Sequence, residues 1–142
     1  MASALILLGI ALLYSYAGAL NLADISRTIA AKGSSRVIPF IGILFFVGFS
    51  LKGALMPFHA WLPDAHSQSP SPVSALLSGV TIKVAVYAIA RIATIFPLGN
   101  SALGTFGIVL GAITMLAGIL IAYQQQDLKR MLAYSSVSQM GY

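Results

Sequence analysis

The chain has 142 residues, 58% of them apolar and 8% charged, with eight basic side chains set against three aspartates and no glutamate. Soluble domains carry roughly a quarter of their residues charged, so a water-soluble globule of this composition would expose aggregating apolar surface; disorder needs the opposite composition. The absence of cysteine excludes disulfides, thiolate metal sites and cysteine-ligated iron–sulfur clusters.

The net charge of +5 does not make a nucleic-acid footprint, because the basic residues are scattered and no basic run exceeds Lys129–Arg130. The lipid bilayer is the expected environment, and nucleic acid is not an expected partner.

In chain order, residues 3–20 are apolar and long enough to span as a helix; an uncleaved signal segment is the alternative. The polar stretch 21–36 follows, with Leu22, Ile25 and Ile29 at helical spacing, which predicts a short interfacial helix. The next apolar segment, 37–66, contains Lys52 and then Pro57 and Pro63. Proline removes a backbone donor and clashes with the preceding turn. The segment therefore reads as a broken helix, one half ending near Met56 and a shorter half running through Trp61. Such a break survives in a bilayer only where protein or a water-filled cavity satisfies the freed backbone.

A third helix is expected over 73–95, opened by Pro72 and interrupted by Lys83. After a turn over 96–100, a fourth runs over 101–123 without a charge. Its Gly104, Gly111 and Gly118 recur every seventh residue, and Gly107–Gly111 is a small-xxx-small pair; this stripe invites a close helix, expected to come from a partner. A polar turn leads into 127–142, where the final apolar stretch from Met131 is too short to cross about 30 Å of hydrocarbon. The chain therefore reads as a single partial transmembrane domain, either a fragment or one that another chain completes.

Lys52 and Lys83 are the main chemical signal. A charge at bilayer depth costs roughly 2.5–3.5 kcal/mol on insertion scales, and a buried amine can become a proton carrier near neutral pH. Both lysines are expected to face protein interior; paired structural cations, or for Lys52 a side chain that snorkels to the interface, are the alternatives. Lys52 lies about one turn before the break, where the negative end of a half-helix favours its ammonium form. His59 and His66 suit proton relay or hydrogen bonding at the break. Their spacing with Asp64 matches no zinc pattern, so no metal is expected, and Asp64 reads as a helix-terminus or lysine partner. Tyr87 and Arg91 share a stripe with Lys83. Lys129 is a candidate relay residue or a solvated loop lysine. No nucleophile–base pair, nucleotide loop or paired carboxylates are found, so catalysis by this chain alone is not expected.

The stretch Lys52–Ser67 (KGALMPFHAWLPDAHS) resembles the signature of antiporter-like subunits: the pumping subunits of respiratory complex I, multisubunit cation/proton antiporters and energy-converting membrane hydrogenases. Residues 71–77 (SPVSALL), 82–87 (IKVAVY) and 127–141 (DLKRMLAYSSVSQMG) resemble further motifs of that family. The resemblance implies an all-α, polytopic helix bundle with a discontinuous helix, part of a fold of two inverted repeats. It implies that Lys52, Lys83 and Lys129 relay protons, with His59 and His66 matching histidines found in some members. Gln139 stands where many members have histidine and carries no proton role. The implied function is part of a proton (or sodium) path in a multisubunit, redox-driven complex of the inner, cytoplasmic membrane. No cofactor is expected in this chain, whereas partner subunits would carry iron–sulfur clusters. A truncated structural subunit and a secondary cation/proton antiporter are the alternatives. Counting basic residues places 21–36 on the cytoplasmic side; the resemblance implies the reverse.

Overall fold

The computed structural model describes residues 1–32, 36–96 and 102–142, and every regular element among them is helical. Helix α1 (Ala2–Ala17) stops at Gly18, which takes a left-handed φ of 70° and returns its N–H to the Tyr14 carbonyl. The expected helix over 3–20 thus ends early, because the glycine accepts a conformation that other residues resist. Helix α2 (Leu22–Lys32) leaves at 57° to α1. Asn21 starts it, accepting the Ala23 N–H on its side-chain oxygen at 3.3 Å. Ile25 and Ile29 are buried in the chain's own core, while Leu22 is exposed.

Helix α3 (Val37–Gly53) packs along α1, and the seam is set by small residues. A methyl group on Gly48 would lie 2.7 Å from the Ile6 side chain, and one on Gly9 would lie 3.2 Å from the Phe45 ring. Leu13, Ile25, Ile29, Ile38, Ile41, Phe45, Ile95 and Phe96 form the larger apolar cluster, joining α1 to α3 and to the segment after the third long helix.

The chain then breaks. Ala54 is left-handed at φ 53°, a turn carries residues 54–60, and α4 (Trp61–Gln68) resumes the helix. The interruption therefore begins before Met56, and the second half, expected to run through Trp61, starts there. Pro63 is accommodated in the first turn of α4, where a missing N–H costs nothing.

Helix α5 (Ser71–Leu76), a π-helical turn (Leu77–Thr81) and α6 (Ile82–Ala93) run on as one 23-residue apolar rod. The π turn, whose hydrogen bonds reach one residue further along the chain than those of an α-helix, is not predicted by the sequence pattern. Apart from Phe96, the turn expected over 96–100 and the helix start at Ser101 lie outside the described residues. Helix α7 (Ala102–Tyr123) and α8 (Leu128–Met140) form an antiparallel pair. The rod Ser71–Ala93 and Gly104–Tyr123 are long and apolar enough to cross a membrane, and the bent pair α1–α2 makes a third candidate.

The glycine stripe of α7 faces this chain's own helices. A methyl group on Gly118 would lie 2.9 Å from Ser138 backbone atoms, one on Gly111 would lie 2.8 Å from the Gly141 carbonyl, and Gly107 faces the Phe46 ring. This corrects the expectation of a partner on the stripe: α8, which the sequence pattern cannot place, fills most of it. A smaller cluster of Ala54, Leu62, Ile82 and Val137 ties the break, α4, α6 and α8 together.

Candidate functional site

The break is where backbone polarity has to be resolved, and the structure resolves it with side chains from other elements. Past Gly53, the N–H groups of Ala54 and Leu55 both turn back to the Ser50 carbonyl. The Met56 N–H then donates 3.2 Å to the Thr114 hydroxyl of α7, and Thr114 donates its own proton 2.7 Å to the Leu110 carbonyl. Pro57 has no N–H, and Phe58 donates 2.7 Å to the Leu55 carbonyl. Trp61 closes the other side, its indole N–H donating 3.0 Å to the Leu51 carbonyl. The requirement that a membrane-depth break be satisfied by protein is met at these groups.

Lys52 ends the last turn of α3, and Lys83 lies in the first turn of α6, where Gly53 and Ala85 bring the two helices into contact. Both lysines are exposed on this chain, and neither makes an ion pair among the described residues. The interior position expected of them is not supplied by this chain's own helices. Tyr87 is exposed as well.

His59 lies in the break, its ring 6.1 Å from that of Tyr134 on α8; its Nδ1 is buried and makes no hydrogen bond among the described residues. His66, on α4, is 4% exposed, and its Nδ1 pairs with the Ser74 hydroxyl of α5 while Nε2 has no hydrogen-bond partner among the described residues.

His66 opens onto a half-open cavity of about 430 Å³. One wall carries Ser71, Ser74 and Ser78 from α5 and the π turn; the other carries Lys129, Ser135, Ser136 and Gln139 from α8. The Ser78 and Ser136 hydroxyls meet across it at 3.1 Å. A space of this size holds on the order of ten waters, and serine hydroxyls both donate and accept, so the lining can order a hydrogen-bonded chain. At its edge the Lys129 ammonium donates 3.1 Å to the Ser69 carbonyl.

Asp64 faces Arg130 at 3.7 Å, and Asp127 lies 4.0 Å from the same guanidinium. Its partner is therefore an arginine and not a lysine. The geometry brings His66 and Lys129 to one cavity and leaves Lys52 and Lys83 on the α3–α6 seam. Thr114, Ser71, Ser74 and Ser78 carry no role in the sequence reading, whereas Ser135 and Ser136 lie in a stretch too polar to face lipid unpaired. Thr114 had a legible signal, since it falls on the same face of α7 as Gly107, Gly111 and Gly118.

Over residues 1–142 the chain matches the family described as NADH:quinone oxidoreductase/Mrp antiporter, transmembrane. The chain belongs to that family. A Na(+)/H(+) antiporter subunit from Alkalihalophilus pseudofirmus is 38% identical over 99% of this chain and 29% of its own length. An NADH-quinone oxidoreductase subunit from Desulforudis audaxviator is 40% identical over 96% of the chain and 28% of its own. Among solved structures, the Mrp complex of Dietzia sp. superposes with a TM-score of 0.87 at 34% identity, over 99% of this chain and 26% of that one. The membrane-bound sulfane sulfur reductase, an archaeal respiratory membrane complex, gives 0.81 at 30% identity, over 99% and 29%. This antiporter-family chain spans under a third of the length of these relatives. It is an integral, multi-pass membrane protein, all-helical among the described residues.

Proposed function

We propose that this chain forms part of a proton (or sodium) path in a multisubunit membrane complex driven by a redox reaction that partner subunits perform. The observation that carries the reading is the serine-lined cavity between His66 and Lys129, beside a helix break bearing Lys52 and His59. Protons would pass between Lys52, Lys83 and Lys129 through hydroxyls and water, with repulsion between neighbouring ammonium groups supplying the drive. His66 and His59 would hand protons between the break and the cavity. Other membrane subunits would cover the exposed lysines and supply the missing helices, iron–sulfur clusters would sit in partner subunits, and the assembly would occupy the cytoplasmic membrane.

A second reading has its own support. The 38% identity to a Na(+)/H(+) antiporter subunit favours a secondary cation/proton antiporter with no redox partner. Purification separates the two, since only the first brings iron–sulfur or flavin subunits along. Ion flux is then measured in vesicles containing the purified assembly. Lys52→Ala, Lys83→Ala and Lys129→Ala should each cut flux at least about tenfold, as loss of an obligatory site requires. Undiminished flux in all three would leave a structural subunit that does not conduct.

A further inference from the structure

Thr114 is fully buried in the middle of a largely apolar helix. Its hydroxyl has one proton, spent on the Leu110 carbonyl at 2.7 Å, so its lone pairs are held in a fixed direction. They receive the Met56 amide at 3.2 Å, from a position 58 residues earlier in the chain. The neighbouring backbone bonds of the break stay local, from Leu55 to Ser50, from Phe58 to Leu55 and from Leu62 to His59. Thr114 thus references the break to another helix.

That helix is itself firmly placed. Ser138 of α8 donates 2.8 Å to the Met115 carbonyl, the residue next to Thr114, and Gly111 and Gly118 let α8 approach to backbone contact on either side. The pair α7–α8 also carries Lys129, Ser136 and Gln139, one wall of the serine-lined cavity.

In an uninterrupted α-helix the Met56 amide would bond four residues back, to the carbonyl of Lys52. Thr114 diverts it. Without that diversion α3 has a donor ready to extend it by three residues, as far as Met56 before Pro57, which would place Lys52 inside the helix and move the negative helix end away from its ammonium. We propose that Thr114 is a positioning residue for ion transfer: by taking the Met56 amide it keeps α3 short and holds Lys52 at the helix end, in fixed relation to the cavity wall.

The proposal rests on the ion-path reading above, and its test keeps the two apart. Thr114→Val keeps the shape and removes the hydroxyl; Thr114→Ser keeps the hydroxyl. Both are made in the full-length protein within its assembled complex, which is reconstituted in vesicles for ion flux and examined by amide hydrogen exchange over residues 54–60. The valine variant should assemble in normal amount, exchange the Met56 amide about tenfold faster and lose flux by a similar factor, as one lost buried hydrogen bond implies. The serine variant should stay within about twofold of wild type in both measurements. Wild-type exchange or wild-type flux in Thr114→Val overturns the proposal. Equal losses in both variants, with reduced assembly, also overturn it, because they assign the residue's role to its methyl group. Normal flux in Lys52→Ala overturns the ion-path reading and with it the transfer role, while exchange still reports whether Thr114 holds the break.

Discussion

The indole N–H of Trp61 donates 3.0 Å to the carbonyl of Leu51, so the first residue of α4 is tied to the last turn of α3 across the break. The bond uses a carbonyl that the truncated α3 cannot satisfy within itself, which is the usual debt of a helix C-terminus. It also limits how far the two half-helices can swing apart.

Trp61→Phe keeps the ring and removes the donor. A typical hydrogen bond contributes about 0.5–1.5 kcal/mol, so the variant should speed amide exchange over residues 51–61 roughly two- to tenfold. Trp61 is 38% exposed whereas Thr114 is fully buried, so the effect should be smaller than that of Thr114→Val. An exchange pattern identical to wild type would show that the indole bond does not restrain the break.

The seam between α7 and α8 gives a steric prediction. A methyl group on Gly118 would meet the backbone of Ser138 at 2.9 Å, and backbone, unlike a side-chain tip, cannot swing aside. Gly118→Ala should push α8 outward at a cost of about 1–3 kcal/mol, the range for overpacking. Gly107→Ala is the control, because its methyl would lie 3.6 Å from the Phe46 ring, an ordinary contact. The measurement is protease susceptibility of α8 in the assembled complex, which should rise for Gly118→Ala alone. Equal susceptibility in the two variants would contradict the close approach.

The stripe also shows what the sequence could and could not convey. Gly107, Gly111 and Gly118 mark one face of α7 for close approach, but periodicity names a face and not its occupants, which are α8 at Gly111 and Gly118 and Phe46 of α3 at Gly107, all of the same chain. Pro57 marks the break because proline's missing donor is a local property. Its true start at Ala54 is hidden, since alanine takes positive φ only when the surroundings compel it. The π turn at Leu77–Thr81 leaves no trace in the apolar pattern. At the site, Lys52 and Lys83 stand out because charge in an apolar run is conspicuous. The serines that line the cavity do not, because a serine in a membrane helix is ordinary until folding sets five of them around one space.

Surface charge at the cavity's neighbour should matter little. Asp64 and Arg130 are 3.7 Å apart with side chains 71% and 44% exposed, and Asp127 competes for the same guanidinium. Exposed pairs of this kind contribute about 0.2–1 kcal/mol. Asp64→Asn should therefore leave ion flux unchanged and lower the melting temperature of the assembly only slightly, with the difference vanishing at high salt. A severe loss of flux would instead make Asp64 part of the ion path.

The serine pair across the cavity gives the sharpest test of the lining. Ser136 donates 3.0 Å to the Leu132 carbonyl of its own helix, which uses its one proton. Ser78 must therefore be the donor in the 3.1 Å bond between the two hydroxyls, and this directed link joins the π turn to α8. Removing either hydroxyl breaks the same link, so the two losses should not add. Ser78→Ala and Ser136→Ala should each lower ion flux on the order of threefold, and the double variant should be no worse than either, a coupling on the order of 0.5–1 kcal/mol. The double-mutant cycle is read as ion flux in vesicles at matched amounts of assembled complex. Losses that multiply would mean that each serine orders water separately, and wild-type flux in all three would remove the serine-lined cavity from the path.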